Sequence, residues 1–96
     1  MKAYWVVAYR SVTDESALKR YGELAVPAIE AGGGKLVIRA ATPEAREEGL
    51  KQRIVVVEFE NRKKAVATYN SAAYQAALKV LGTAAERDFR IVEGVA

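Results

Sequence analysis

Two segments of this chain are apolar on both faces of the strands that they predict. The first covers residues 3–10 and is rich in β-branched and aromatic residues, and the second contains the run Ile54-Val55-Val56-Val57. A strand with one face in water should alternate apolar and polar side chains. Both faces of the first segment are apolar: Trp5, Val7 and Tyr9 on one, and Tyr4, Val6 and Ala8 on the other. Each of these strands therefore needs a cover on both sides.

The first strand leads into a helix whose limits are marked by capping residues. Thr13 or Asp14 can accept a hydrogen bond at the helix start, and Gly32-Gly33-Gly34 ends the helix. Pro27 predicts a kink or the start of a second helical segment. The glycine run is typical of a turn, because a phosphate-binding loop would precede a helix and this one follows a helix.

The rest of the chain alternates strand and helix patterns in the overall order βαββαβ. Asn61 is a predicted cap for the second helix, Ser71 is predicted to recap it after a break, and Gly82 ends it. The remaining predicted elements are a second strand over Lys35–Ala41, a polar loop over Thr42–Leu50, a third strand over Gln52–Phe59 and a last strand over Phe89–Val95.

This order predicts an α+β fold, a ferredoxin-like βαββαβ sandwich in one domain over residues 1–96. We expect a four-stranded antiparallel sheet with two helices on one face and the first and third strands at its centre. The second face would then be an apolar patch of a size that monomers rarely expose. A second copy of the chain, packed sheet against sheet, is the simplest cover, so the sequence predicts a homodimer.

The composition excludes several kinds of site. The chain has no Cys and no His, which excludes disulfides, thiolate nucleophiles, the usual zinc sites and a Ser-His-Asp triad. We expect no metal and no cofactor. The net charge of +3 is spread among interleaved acids and bases, and the one basic run, residues 62–64, is typical of a solvated helix start. No apolar run is long enough for a membrane span or a signal peptide, which favours a cytoplasmic protein without a membrane partner.

Three residues are candidates for catalysis. Arg39, on the second strand, could anchor a carboxylate or an enolate through its guanidinium fork, or it could be an exposed edge residue. Glu58 follows four apolar residues, so it could be a desolvated general base; the alternative is an ion pair with Arg39, Arg53 or an arginine of a partner chain. Tyr74 could offer a hydroxyl donor, because Ser71 would place it on the first new turn of the helix.

Aromatic residues supply a candidate ligand pocket. Trp5, Tyr9 and Tyr69 could line a pocket between the helices and the sheet, together with Tyr74. The alternative is that they form plain hydrophobic core, which aromatic residues at helical or strand spacing commonly do.

The chain resembles the family called domain of unknown function 1330, a branch of the dimeric α/β-barrel proteins. The resemblance runs through nearly the whole chain, with two departures: Ala40 stands where members often have Gly, and Ala72 where they often have Pro. The segments that carry it are Tyr4-Trp5-Val6, Tyr21 to Pro27, Gly33 to Arg39, Arg53 to Phe59, Tyr69 to Ala76 and Asp88 to Gly94. The resemblance implies that two sheets pair across a two-fold axis to form a barrel with the helices outside.

Three functions are candidates for a protein of this fold. By analogy with related barrel families, the first is a cofactor-free enzyme of oxygenase, isomerase or lyase type acting on a small acidic or enolisable molecule. The second is a non-catalytic module that binds a small ligand or assembles. RNA binding, the third, is disfavoured because the strand Arg53–Glu60 has aliphatic residues where an RNA-recognition motif stacks bases. The sequence does not decide between the first two, and no nucleic-acid partner is expected.

Overall fold

The computed structural model describes residues 1–95, apart from the side chains of Ala40 and Ala41. The elements in chain order are β1 (Ala3–Val12), α1 (Glu15–Ala31), β2 (Lys35–Ala41), β3 (Ile54–Phe59), α2 (Arg62–Tyr69), α3 (Ala72–Leu81) and β4 (Ala85–Glu93). The four strands form one antiparallel sheet in the order β2-β3-β1-β4. The predicted α+β ferredoxin-like order and the central position of the first and third strands are therefore confirmed.

The first helix is continuous, and Pro27 does not begin a second segment as predicted. Asp14 caps α1 by accepting a hydrogen bond from the backbone N–H of Ala17 at 3.0 Å. Pro27 lies within the helix and cannot bond to the carbonyl of Glu23, four residues earlier. Both residues are exposed, so water can satisfy that carbonyl and the helix continues to Ala31.

The second predicted helix is divided into α2 and α3, so the sheet is covered by three helices rather than two. The predicted cap at Asn61 is confirmed by its bond from the Lys64 N–H at 2.9 Å. The predicted recapping at Ser71 is also confirmed, because its hydroxyl accepts from the Tyr74 N–H at 3.2 Å. This restart places Tyr74 on the first turn of α3, where its side chain is fully buried.

The last strand begins four residues earlier than predicted and ends at Glu93 rather than Val95. The charged run Glu86-Arg87-Asp88 lay outside the predicted strand, but it pairs with residues 8–11 of β1. Cross-strand pairing to β1 therefore overrides the polar composition of this segment.

The two faces of the sheet have different covers. Trp5, Val7 and Tyr9 of β1 are buried beneath the helices. We call the other side the open face, because no helix within residues 1–95 packs on it. Its apolar side chains are Tyr4, Val6, Ala8, Ile38, Ile54, Val56 and Val92. Val6, Ile38 and Val92 are 36%, 41% and 43% exposed, so the predicted apolar second face is present.

Trp5 joins the sheet to α2 and α3. Its ring centroid lies 4.8 Å from that of Tyr74 and 5.1 Å from those of Phe59 and Phe89. Its indole Nε1–H donates to the backbone carbonyl of Ala65 in α2 at 3.0 Å, so the buried donor is satisfied. Within residues 1–95, no helix is both long and apolar enough to cross a membrane.

Two glycine substitutions should have opposite effects on the free energy of unfolding. A Cβ on Gly34 would lie 2.7 Å from the Ile29 Cγ2 and 2.8 Å from the Phe59 ring, both packed in the core. Gly34→Ala should therefore destabilise the fold by about 1–3 kcal/mol through overpacking. Gly22→Ala in α1 meets nothing within 4 Å and should stabilise it by about 1 kcal/mol. Chemical denaturation measures both, and a neutral Gly34→Ala would contradict the packing described.

Candidate functional site

A cavity of about 650 Å³ lies between α1 and the helix-covered side of the sheet. One stripe of α1 faces it, made of residues spaced three, four or seven apart: Glu15, Leu18, Gly22, Ala25, Val26 and Ile29. The sheet contributes mainly apolar side chains: Trp5, Val7, Tyr9, Leu36, Val55, Val57 and Phe89. Because Gly22 and Ala25 are small, the middle of the stripe leaves room above the sheet.

More cations than carboxylates line this cavity. The charged lining residues are Lys19, Arg39, Arg53 and Arg87 against Glu15 and Glu23. The Arg53 Nη2 lies 2.9 Å from the Glu15 Oε2, which links the start of β3 to the start of α1. Glu15 therefore neutralises Arg53, and the cavity keeps an excess of positive charge.

Arg87 is the half-buried cation of the cavity. It lies on β4 opposite Tyr9, and its guanidinium carbon is 5.6 Å, 5.1 Å and 5.4 Å from the ring centroids of Tyr9, Tyr21 and Phe89. Its Nη1 donates to the Tyr21 hydroxyl at 3.1 Å. It forms no salt bridge with any carboxylate in the described part of the chain.

Burial and neighbouring phenols act in opposite directions on Arg87. Burial by itself would lower the pKa of this guanidinium, but the oxygens of Tyr21, Tyr74 and Tyr9 raise the pKa on balance. Arg87 thus stays a cation, held by π faces and hydroxyl oxygens instead of by an acid.

Two buried phenols form the innermost polar group of the cavity. The Tyr21 and Tyr74 hydroxyl oxygens are 2.6 Å apart, and the residues are 8% and 0% exposed. Burial, and next the neighbouring Tyr21, raise the pKa of Tyr74, and burial also raises the pKa of Tyr9. Tyr74 therefore keeps its proton at neutral pH.

The structure places only part of the predicted site around this cavity. Trp5, Tyr9 and Tyr74 line it deeply, and Arg39 lines it as an exposed side chain. Tyr69 packs against the rings of Trp5, Tyr74 and Phe89 and is not part of the cavity wall.

Arg39 and Glu58 lie on opposite faces of the sheet. Glu58 pairs across the strands with Tyr4 on the open face, and its Oε1 is 2.6 Å from the Lys2 Nζ. A bulge in β2 shifts the register between Leu36 and Ile38, which turns Arg39 toward the cavity. Within one chain, Glu58 cannot contact a ligand that Arg39 and Tyr74 hold.

The sequence interpretation missed Arg87 and Tyr21 as site residues. Tyr21 was included only among the apolar positions of the first helix. Arg87 lay outside the predicted last strand, although the alternation Arg87, Phe89, Ile91 could have placed it on the inward face of a longer strand. Extending the strand until it matched the length of β1 would have revealed it.

A second hollow, of about 580 Å³, lies at one end of the open face, with walls mainly from the loop residues 43–50. Among the described residues, no three carboxylate, His or Cys side chains lie close enough to hold a metal ion.

The comparison with protein families decides the affiliation of the chain. The model of the family described as Domain of unknown function (DUF1330) matches residues 2–95. The chain belongs to the DUF1330 family. The resemblance seen in the sequence is thus confirmed for this DUF1330 protein over almost its whole length. No curated protein matches it.

Solved structures show the same fold in proteins of low sequence identity. A protein of unknown function from Rhodopseudomonas palustris is 17% identical, with a TM-score of 0.73, over 99% of this chain and 83% of that one. A candidate antibiotic biosynthesis monooxygenase from Nitrosomonas europaea is 16% identical, with a TM-score of 0.61, over 98% and 90%. A dimeric ferredoxin-like protein of unknown function from Bacteroides fragilis is 18% identical, with a TM-score of 0.58, over 97% and 96%. At these identities the likeness establishes the fold alone.

Proposed function

We propose that this DUF1330 protein binds a small acidic or enolisable molecule with an apolar body in the cavity under α1. The observation that carries the proposal is Arg87, a half-buried cation without a carboxylate partner in the described chain. Burying a charge is costly unless it is paired. An anionic ligand in the cavity would supply the missing partner.

The size and walls of the cavity support a small organic molecule. Its volume of about 650 Å³ falls within the range of small-molecule sites, roughly 300–1,000 Å³. Apolar side chains such as Leu18, Val55 and Ile29 form most of its surface, with the charged groups around them. This arrangement suits an aromatic or aliphatic body that carries one acidic group. Exposed Arg39 would add attraction at the mouth, a contribution that salt weakens.

Phenylacetate should bind more tightly than its neutral analogue phenylacetamide. The two probes have nearly the same shape, so the difference reports the charge, and hydrogen bonds to a charged group are worth about 1.5–3 kcal/mol. We expect a ratio of roughly 10- to 100-fold in isothermal titration calorimetry.

A steric variant locates this binding without removing any charge. Gly22→Phe should abolish binding, because Gly22 faces the cavity and a Cβ there meets nothing within 4 Å. Ala76→Phe, at an exposed position of α3 outside the cavity wall, is the matched control and should bind normally. Equal affinity for both probes, or full binding by Gly22→Phe, would refute the proposal.

A second candidate function is cofactor-free catalysis of oxygenase, isomerase or lyase type in the same cavity. It is favoured by the hydrogen-bond donors of Arg87 and of the Tyr21–Tyr74 pair, which are held in place at the cavity. It is also favoured by analogy, because neighbours from Nitrosomonas europaea and Caulobacter crescentus are described as candidate antibiotic biosynthesis monooxygenases. A proton would leave the carbon next to a carbonyl, and Arg87 would stabilise the resulting enolate oxygen. The proton would be accepted by a water or by Glu23, which lines the cavity and has no ion-pair partner in the described chain. Glu58 lies across the sheet and has no part in this scheme.

Catalysis of this kind should exchange the α-protons of phenylpyruvate for deuterium. In D2O buffer, proton NMR should show faster exchange with the native protein than without protein. Arg87→Gln should return the exchange rate to that of buffer alone, because the enolate loses its cation. Arg20→Gln, at an exposed position of α1 outside the cavity wall, is the matched control and should leave the rate unchanged. Exchange at the buffer rate with native protein would favour the non-catalytic binding module.

We also propose that the protein is a homodimer that pairs its open faces. Val6, Ile38 and Val92 leave an apolar surface without a cover in this chain. The broad face of the molecule measures 32 by 32 Å, which has room for the approximately 800 Å² per partner that a stable interface buries. The neighbours from Bacteroides fragilis and Jannaschia are described as dimeric, and pairing of this kind would close a barrel.

Val6→Glu should convert the dimer into a folded monomer. The new carboxylates would be buried in the interface, and the cation across the strands from each, Arg90, already bonds to Asp88, so the burial should cost several kcal/mol. Val66→Glu on α2 is the matched control, because Val66 is 39% exposed against 36% for Val6. Sedimentation velocity at micromolar concentration should show a monomer for the first variant and a dimer for the second and for the native protein. A monomeric native protein, or a dimeric Val6→Glu variant, would contradict the proposed interface.

A further inference from the structure

We infer that Arg87 and the phenol pair Tyr21–Tyr74 form an oxyanion-binding site for the charged oxygens of the ligand, which we call the seat. The acidic group of the ligand then points toward β4. This inference rests on the proposed binding function and assigns the ligand a class and an orientation. The ligand class is a planar oxyanion, namely a carboxylate, an enolate or a phenolate. Arg87, Tyr21 and Tyr74 would be the residues that determine specificity.

Counting hydroxyl protons shows that the phenol pair has one donor to spare. The pair carries two hydroxyl protons, and the 2.6 Å contact between the two oxygens uses one of them. The Tyr21 oxygen also accepts the N–H of Arg87. Neither hydroxyl has another acceptor in the described chain, so one proton stays free whichever tyrosine donates to the other. Both residues line the cavity, where that proton can meet a ligand oxygen.

The guanidinium of Arg87 has donors to spare as well. It carries five N–H groups, and its one hydrogen bond in the described chain goes to Tyr21. A planar fork of N–H groups beside a free O–H suits an anion whose oxygens lie in one plane. A neutral ligand would leave this half-buried charge without compensation.

The other cavity arginines are less suited to this role. Arg53 already donates to Glu15 at 2.9 Å, so a ligand would have to compete with a carboxylate of the protein. Arg39 is exposed, and water and salt weaken its attraction for an anion. Arg87 alone among the three is partly buried and has no carboxylate partner in the described chain.

The visible ionisation of 4-nitrophenol tests the seat directly. Its phenolate absorbs visible light, so a pH titration in the presence of saturating protein gives the pKa of the bound probe. The seat should lower that pKa by about one unit, a tenfold change in the ionisation constant. Arg87→Gln should remove the shift, while the side-chain amide can still donate to Tyr21 and preserve the fold. Arg39→Gln should keep most of the shift.

Phenol variants test the free proton. Tyr21→Phe or Tyr74→Phe alone leaves one free hydroxyl, so each should weaken phenylacetate binding by less than about threefold. The double variant has none and should weaken binding by about tenfold or more. Tyr69→Phe is the matched control, because this ring packs on Tyr74 but lies outside the cavity wall. The NMR signal of the Trp5 indole N–H, bonded to α2, reports whether each variant is folded.

The outcomes separate the seat from the binding function. If neither phenylacetate nor 4-nitrophenol binds, the proposed function fails. If both bind but the pKa shift survives Arg87→Gln, or depends on Arg39 instead, the seat is wrong and the binding function stands. Should the double phenol variant not fold, the Arg87→Gln titration still decides.

Discussion

The indole of Trp5 determines how closely the helices approach the sheet. Around it, the rings of Tyr74, Phe59 and Phe89 and the bond to the α2 backbone fill the space between the layers. Such a contact combines a large apolar surface with a satisfied polar group, so it fixes both distance and orientation. Tyr9, four residues after Trp5 on β1, lies beside the guanidinium groups of Arg53 and Arg87. The layers are therefore tight around Trp5, and the cavity extends from there along β1 to Tyr9.

The polar end of the cavity is costly for the fold. A half-buried guanidinium without a carboxylate in the described chain loses solvation that the rings of Tyr9, Tyr21 and Phe89 offset only in part. Replacing even a buried ion pair by apolar residues of similar volume is often neutral or stabilising, so stability alone does not explain a buried charge without a partner. The arrangement is explained if Arg87 serves binding, because the same low-dielectric surroundings that make the free charge costly strengthen its attraction for an anion.

The sheet order and its two apolar faces could be predicted because side-chain alternation and capping residues are local signals. Asn61 and Ser71 cap helices where the sequence indicated. The site could not be predicted in the same way. Strict alternation from Lys35, which pairs with Glu58, would place Arg39 on the open face. The bulge before Ile38 reverses that assignment, and nothing in the local sequence signals the bulge. Arg87 escaped notice because strand pairing, and not its polar neighbours, decides where β4 begins.

A crystal structure of the protein with phenylacetate would show whether Arg87 binds the acidic group of a small ligand under α1. We expect the carboxylate within hydrogen-bonding distance, roughly 2.7–3.1 Å, of an Arg87 nitrogen and of the Tyr21 or Tyr74 oxygen. The phenyl ring should lie between Leu18 and Val55. A carboxylate bound at Arg39, or a ligand found only outside the cavity, would contradict this role of Arg87.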